Sequence, residues 1–230
     1  MPAYNASGRI ASVIGNISAE HWDFIDVLLV VDDGSVDDTA AIVIGLKRKY
    51  PKIELVQHPH NLGYGAAQKT AFRWALKYGA DAVVMLHSDG QYPPSFLRNM
   101  LAPLCESADV VGGSRILYGD MRKGGMSLSR YYGTTFFTKL ENLVFHQSFT
   151  SYHSGYKSYR CAALKVIPFE KYSDSFNFDS EMIVGAIRAG LRIVEVPVPT
   201  IHGKGYSSLK PVPYCLSVLH TILRYLFGRI

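Results

Sequence analysis

Short apolar runs alternate with helix-patterned segments through the first half of the chain. The runs that predict strands are VLLVV (27–31), IELVQ (53–57), DAVVML (81–86) and DVVGGS (109–114). The first two are followed by segments whose apolar residues recur at helical spacing, TAAIVIGLKRKY and AAQKTAFRWALKYG. Strands that alternate with helices in this way form βαβ units. The sequence therefore predicts an α/β, Rossmann-like fold with a mostly parallel sheet flanked by helices.

The composition fits one globular domain. Hydrophobic residues make up 48% of the 230 residues and charged residues 19%, so the chain can bury a core and has no signature of disorder. There is no internal repeat or shift in composition, so residues 1–230 are predicted to form a single domain. The formal net charge of +5 is compatible with anionic partners such as nucleotides. The basic residues are scattered along the chain, which argues against nucleic acid as a partner.

Cysteine usage indicates a reducing compartment. Cys105, Cys161 and Cys215 are widely spaced and contain no Cys-x-x-Cys pair, which argues against a disulfide framework and a structural zinc site. The segment MPAYNASGRI has no features of a secretory signal, and no apolar run reaches the ~18 residues of a membrane span. We therefore expect a cytoplasmic protein.

Residues 213–230 are predicted to form an amphipathic helix. Polar residues lie on one face, and large apolar residues recur at helical spacing on the other: Leu216, Leu219, Leu223, Leu226, Phe227 and Ile230. The apolar face either closes the core or docks on a membrane or a partner, and the sequence leaves both alternatives open. Membrane docking would place the protein at the inner face of the membrane.

Polar residues follow the predicted strands at their carboxyl ends, where parallel α/β sheets bind ligands. Asp32 and Asp33 could accept hydrogen bonds from a nucleotide base or a ribose, although Asp-Gly-Ser is also simply a good turn. Gly63 precedes a predicted helix and suits the approach of a phosphate, although the segment has neither Walker nor Rossmann spacing.

A second polar group follows the third predicted strand. His87, Asp89 and Gln91 stand at alternate positions and offer an imidazole, a carboxylate and an amide oxygen. Such ligands suit Mn²⁺ or Mg²⁺ bound together with substrate phosphates. The alternative for these residues taken alone is a solvated loop with a helix cap.

Eight sequence blocks, taken together, resemble one known family. In chain order they are MPAYNAS, VVDDGSVDDT, NLGYGAAQKTAF, VMLHSDGQYPP, GGSR, SGYKSYR, FNFDSEM and RAGLRIVEVPVP. Their order and separations are similar to those of the inverting family 2 glycosyltransferases of GT-A fold. Within that family they resemble the polyprenyl-phosphate hexose synthases and bacterial enzymes of polysaccharide assembly. The resemblance implies one GT-A domain with a donor half (1–115), an acceptor half (116–212) and the helix at 213–230.

At matching positions the resemblance implies a site for a UDP- or GDP-sugar. The pocket for the base and ribose would be formed by Asp33, which accepts from the base, together with Pro2, Ala3 and Tyr4. Asp89 would hold a divalent metal on the donor diphosphate, with Gln91 beside it. Arg115 matches a position near the active site.

The resemblance also implies an acceptor side. Asp179 and Glu181 match the acidic pair that follows the acceptor loop, and Asp179 is the preferred candidate for the general base. The other acceptor-side candidates are His153, Ser154, Lys157, His202 and Lys204. A loop at 118–130, which contains Lys123, is expected to close over the donor.

Four features depart from the family pattern. His87 stands where the family's metal motif begins with Asp, and Ser151 stands where the lipid-phosphate enzymes usually carry Asp. The later motif has His202 for Arg and Ser208 for Lys. An apolar strand normally precedes the Pro-Ala-Tyr-Asn block, so we expect the first strand to be short or missing.

The resemblance implies metal-assisted transfer of a hexose from a nucleoside-diphosphate sugar to a polyprenyl phosphate or a glycan. A non-catalytic nucleotide-sugar-binding scaffold is the alternative if His87 prevents metal binding. A nucleotidyltransferase would share the layout and the metal, but no Gly-rich, basic segment near the N-terminus is present to cradle a triphosphate.

Overall fold

The computed structural model describes residues 1–119, 128–199 and 211–230 of the chain. In chain order its strands are β1 Pro2–Ala3, β2 Leu28–Asp32, β3 Ile53–Gln57, β4 Ala82–Val84, β5 Val110–Ser114, β6 Lys157–Arg160 and β7 Ile193–Pro197. Its α-helices are α1 Ile10–Gly15, α2 Ala19–Phe24, α3 Thr39–Lys47, α4 Tyr64–Tyr78, α5 Leu97–Glu106, α6 Arg115–Tyr118, α7 Leu128–Phe145, α8 Cys161–Val166, α9 Phe178–Arg188 and α10 Pro211–Leu226.

The described strands form two sheets in which most pairs are parallel. β1, β2 and β3 pair in parallel, with Pro2 opposite Val31 and Leu28 opposite Ile53. The second sheet has the order β4-β6-β5-β7, in which β5 and β7 are parallel and β6 is antiparallel to both of its neighbours. The predicted α/β architecture is confirmed, and the first strand is short, as expected.

Strand β6 is not among the strands that the sequence predicts. Lys157–Arg160 pairs with both β4 and β5. Its Lys-Ser-Tyr-Arg sequence lacks the alternation of apolar residues that identifies a strand. The strand is stable in the interior because its polar side chains find partners there: the Ser158 hydroxyl, for example, donates to the carbonyl oxygen of Met100 over 2.5 Å.

Helices cover both faces of the sheets, which explains the continuous apolar runs in the sequence. Every residue of β2 and of β5 is buried, as is typical of strands with helices on both sides. One core packs α4, α9 and α10 together and includes Phe72 and Phe178. A second core packs α1 and α5 and includes Ile10, Val30 and Met100.

Helix α10 carries apolar residues on two faces, and most of the predicted apolar stripe lies outside the core. Val218 and Ile222 on its inner face are buried in the first core, so this face closes the domain. Its outer face leaves Leu216, Leu223 and Phe227 at least half exposed. No helix within the described ranges is both long enough and apolar enough to cross a bilayer.

The segment before α9 crosses the first turn of α4 in close contact. Gly65 donates its backbone N–H to the carbonyl oxygen of Asp174 over 2.8 Å, and the Lys69 ammonium lies 2.8 Å from the Asp174 carboxylate. A β-carbon built on Gly65 would lie 2.4 Å from the carbonyl oxygen of Ser173. Gly63 has a φ of +107°, and a β-carbon there would lie 2.3 Å from the carbonyl oxygen of Asp174. Both glycines therefore let residues 173–174 lie directly on α4.

Gly65→Ala is expected to destabilise the protein by about 1–3 kcal/mol, because an added methyl group must displace backbone atoms. Gly45→Ala is the matched control, since Gly45 lies on the exposed face of α3 and a β-carbon built there would have no other atom within 4 Å. That control should gain about 0.5–1 kcal/mol from helix propensity. Urea unfolding of both variants measures the difference, and equal effects would contradict the close contact at Gly65.

Candidate active site

The site lies where the carboxyl ends of several strands meet the start of α9. Asp32 ends β2, and the segment with His87 and Asp89 follows β4. The Ser88 hydroxyl donates to the carbonyl oxygen of Pro2 over 2.9 Å, which fixes this segment beside β1. Strand ends from both sheets thus meet, and the predicted donor residues of β1, β2 and the segment after β4 lie there.

A hydrogen-bonded network connects this edge to α9. The Tyr64 hydroxyl, on the first turn of α4, donates to one oxygen of Asp179 over 2.8 Å and lies 3.0 Å from Nε2 of His87. The Gln68 amide, one turn further along α4, donates to the other Asp179 oxygen over 3.0 Å. His87 Nε2 also lies 3.0 Å from the carbonyl oxygen of Gly155. Donor-side and acceptor-side candidates therefore share one network.

Burial shapes the protonation states in this network. It lowers the pKa of His87, against the opposing effect of Asp89 and Asp179, so the imidazole is neutral at pH 7. Burial, followed by the negative charge of Asp179, raises the pKa of Tyr64 well above its ordinary value. Tyr64 therefore keeps its proton and acts as a hydrogen-bond donor to Asp179.

Arg115 contacts the turn that follows Asp89. One carboxylate oxygen of Asp89 accepts the backbone N–H of Gln91 over 2.9 Å, which orders the turn. The Gln91 side-chain oxygen lies 3.5 Å from the Arg115 guanidinium, which is 5.0 Å from the ring centre of Tyr92 and donates to its hydroxyl. Arg115 thus adds positive charge next to the Asp89 segment, where a diphosphate would need it.

The two aspartates at the end of β2 are held by the protein's own groups. Asp33 accepts the backbone N–H groups of Leu62 and Gly63, each over 2.9 Å, and pairs with His58 at 2.7 Å. Asp32 accepts from Ser35. These bonds give Asp33 a structural role in fixing the loop before α4, and its contact with a nucleotide base stays a prediction.

The other predicted donor residues differ in exposure. Pro2 and Ala3 are buried in β1, whereas Tyr4 is 49% exposed at the strand's end. Gly63 lies against Asp174, which supplies a packing reason for the glycine. The predicted contacts of these residues with a nucleotide are not tested by their positions.

The structure separates the predicted acidic pair. Asp179 faces Tyr64 and Gln68, while Glu181 is 1% exposed and accepts from the backbone N–H of Ser173 over 2.8 Å and from Arg224 of α10 over 2.5 Å. Glu181 also lines a cavity of about 450 Å³ formed by residues 171–177 and α10. Its carboxylate thus holds α9, α10 and the preceding segment together, whereas Asp179 shares the Tyr64 hydroxyl with His87 at the strand ends. This position keeps Asp179 as the preferred candidate base.

The predicted acceptor loop, which contains His153 and Ser154, lies on buried charged side chains. The Lys157 side chain is 1% exposed, and its ammonium donates to the carbonyl oxygens of Tyr152 and Ser154. Burial lowers the Lys157 pKa, although Asp179, Glu141 and Glu195 oppose this shift. Lys157 therefore supports the loop from its buried side, and its contact with an acceptor stays a prediction.

His153 connects the loop to three helices. Its Nδ1 lies 2.9 Å from the Tyr214 hydroxyl of α10 and 3.1 Å from the Ser180 hydroxyl of α9. Its Nε2 lies 3.0 Å from Glu141 of α7, a carboxylate that is 1% exposed. On the other side of the loop, Glu195 of β7 accepts the backbone N–H groups of residues 150 and 151. These contacts fix the backbone on both sides of Ser154.

Several predicted residues lie outside the described part of the chain. They are His202, Lys204, Ser208 and Lys123 with most of the predicted closing loop at 118–130. Their roles stay predictions.

Sequence reasoning missed Tyr64, Gln68, Tyr92 and Glu141. Tyr64 and Gln68 are four residues apart on α4, so they share one helical face, but apolar periodicity gives no signal for polar partners. Glu141 lies in α7, and in the sequence it resembles an ordinary exposed charge. Only its burial beside His153 distinguishes it.

The residues at this edge fit a divalent cation that is bound jointly with a substrate. His87 Nδ1 and the second carboxylate oxygen of Asp89 make no hydrogen bond within the described residues. Across those same residues, no group of three His, Cys, Asp or Glu side chains could hold a metal alone. Phosphate oxygens would have to complete the coordination, as is common for Mg²⁺ and Mn²⁺.

Comparison with known proteins agrees with this arrangement. The sequence profile of Glycosyl transferase family 2 matches residues 1–167. A UDP-N-acetylglucosamine--dolichyl-phosphate N-acetylglucosaminyltransferase of Methanococcus voltae is 29% identical over 88% of this chain and 84% of the relative. An undecaprenyl-phosphate mannosyltransferase of Micrococcus luteus is 30% identical over 86% of this chain and 80% of the relative.

The fold also matches a solved structure. Glucosyl-3-phosphoglycerate synthase from Mycobacterium tuberculosis, in complex with Mn²⁺, UDP and glucosyl-3-phosphoglycerate, aligns with a TM-score of 0.69 at 21% identity. The alignment covers 99% of this chain and 77% of that chain, and it establishes a shared GT-A-like fold. Since the family profile also spans well over half of the chain, the protein belongs to glycosyltransferase family 2.

Proposed function

We propose that this glycosyltransferase moves a hexose from a UDP- or GDP-sugar to a polyprenyl phosphate, with inversion at the anomeric carbon and the help of a divalent cation. The observation that carries the proposal is the network that joins Asp179 to His87 beside Asp89. It puts a carboxylate next to the strand ends where a nucleotide sugar binds in this fold class. The named activities of the two relatives, which act on dolichyl or undecaprenyl phosphate, support the choice of acceptor over a glycan.

The reaction is a single displacement. An acceptor oxygen forms a bond to the anomeric carbon while the bond from that carbon to the donor diphosphate breaks, and the nucleoside diphosphate leaves with the electron pair. A divalent cation would supply positive charge to the leaving diphosphate. Arg115 stabilises the same charge from the protein side. An acceptor phosphate is already ionised, whereas a hydroxyl acceptor must give its proton to Asp179.

Asp89→Ala is expected to weaken the metal-dependent binding of UDP or GDP by at least about tenfold, because a carboxylate ligand is lost. Calorimetric titration with each nucleotide, in Mn²⁺ and in EDTA, measures the effect. The exposed Asp26→Ala is the matched control and should bind normally. If neither nucleotide binds to the folded wild-type protein with metal present, the proposed donor site is wrong.

Asp179→Asn is expected to lower kcat by about 10²–10⁴-fold with a hydroxyl acceptor and by less with an ionised phosphate. Glu181→Gln should keep kcat within a factor of about ten while losing about 1.5–3 kcal/mol of stability, because its carboxylate bonds Ser173 and Arg224. Steady-state kinetics and thermal unfolding of the pair separate the two roles. Full activity of Asp179→Asn on every acceptor would remove Asp179 from the mechanism.

The outer face of α10 is the proposed contact with the membrane that contains the acceptor. It exposes Leu216, Leu219, Leu223, Leu226 and Phe227 along one side of the helix. An exposed apolar stripe on an amphipathic helix suits the boundary between lipid headgroups and acyl chains. Such docking would hold the acceptor loop, which α10 contacts through Tyr214 and His153, close to the lipid phosphate.

Replacing Leu216 and Leu223 together by Ser should reduce binding to vesicles by about tenfold or more, because two large apolar side chains no longer enter the lipid. The control replaces Ile44 and Val166, which are similarly exposed but lie on α3 and α8. Flotation with phosphatidylcholine vesicles, with and without phosphatidylglycerol, measures both variants. Equal flotation of the two variants would contradict docking through α10.

A further inference from the structure

His87 is held by contacts that the aspartate usual at this position could not make. Its Nε2 lies 3.0 Å from the carbonyl oxygen of Gly155 and 3.0 Å from the Tyr64 hydroxyl oxygen. These partners come from the acceptor loop and from α4. The imidazole therefore bridges α4 and the loop that contains Gly155. An aspartate carboxylate would not, because it is shorter and has no proton to donate.

The partners of Nε2 fix which nitrogen carries the proton. A carbonyl oxygen can only accept, so Gly155 requires a proton on Nε2. The Tyr64 hydroxyl donates its hydrogen bond to Asp179, so the Tyr64 oxygen accepts from Nε2. In the neutral imidazole the lone pair is therefore on Nδ1.

Nδ1 is available to a ligand. It has no hydrogen-bond partner within the described residues, and it is accessible to solvent. Asp89, two positions along the same segment, keeps one carboxylate oxygen without a partner in that part of the chain. A metal ligand that donates its other ring N–H to a carbonyl group is the usual arrangement for histidine.

Gly155 has a specific relation to the imidazole. A β-carbon built on Gly155 would lie 2.3 Å from Cε1 and 2.5 Å from Nε2 of His87. Any other residue at 155 would push the ring away or move the loop. The closeness of this contact fixes the ring plane and hence the direction of Nδ1.

We propose, on the basis of the function proposed above, that His87 binds the donor-bound cation through Nδ1 and makes the site selective for Mn²⁺ over Mg²⁺. Mg²⁺ is a hard cation that takes oxygen ligands. Mn²⁺ also prefers oxygen ligands, but as a transition metal it accepts an imidazole nitrogen more readily than Mg²⁺ does. Replacing a carboxylate by a neutral imidazole also removes one negative charge, which weakens the binding of Mg²⁺ most. Tyr64 and Gly155 act as positioning residues that orient this ligand.

The test uses the full chain with Mn²⁺ and UDP or GDP, whichever nucleotide binds. Pulsed electron paramagnetic resonance of bound Mn²⁺ should detect coupling to a ¹⁴N nucleus, and labelling the protein with ¹⁵N-histidine should change that coupling. His87→Asp should abolish the nitrogen coupling and should shift the ratio of the Mg²⁺ and Mn²⁺ dissociation constants toward Mg²⁺ by about 10–100-fold. Calorimetry measures this ratio, and thermal unfolding shows that the variant is folded.

Tyr64→Phe provides a second, milder variant. It keeps the aromatic ring but removes one of the two acceptors for Nε2 and leaves the Gly155 carbonyl as the other, so Mn²⁺ affinity should fall by about tenfold while the nitrogen coupling remains. Mn²⁺ and nucleotide that bind without nitrogen coupling, with an unchanged metal ratio in His87→Asp, would overturn this inference and leave the proposed function intact. Absence of any metal-dependent nucleotide binding would instead overturn the proposed function.

Discussion

One carboxylate joins two segments that lie far apart in the chain. Asp179, in the first turn of α9, accepts hydrogen bonds from Tyr64 and Gln68, which lie more than a hundred positions earlier. Both donors belong to α4, whose first turn also supports the backbone of residues 173–174. Contacts between α4 and α9 therefore set the spacing between the predicted donor residues and the predicted acceptor loop. The candidate base is itself one of the groups that make these contacts.

The acceptor loop is shaped mainly by buried polar and charged groups. Lys157 supports it from below, Glu195 fixes its start, and the Glu141–His153 contact ties it to α7. A buried charge costs free energy unless it is paired or hydrogen-bonded. This requirement restricts the geometry of each contact. A loop built in this way is ordered before any substrate arrives, which suits a site that must align two reactants.

The sequence predicted the sheet and the residues at its edge because these depend on local rules. Apolar runs marked the buried strands, and the polar residues after β2 and β4 fell where parallel strands end. Strand β6 was not predicted, because its polar side chains find their hydrogen-bond partners only in the folded protein. Glu181 was paired with Asp179 because both match an acidic pair of the family, yet residues two apart on a helix point about 200° away from each other. The partners of Asp179 could not be predicted, since no local pattern encodes contacts between distant segments.

The contact between Gly155 and His87 makes redesign of this edge a problem of two positions. The missing side chain at 155 is the space that the imidazole fills. Exchanging the ring for a smaller acidic group would leave a gap that water or a new side chain must occupy. An engineer who wants an all-oxygen site would therefore have to choose residue 155 together with residue 87. The two positions are therefore coupled, because a change at either residue disturbs the segment that carries the other.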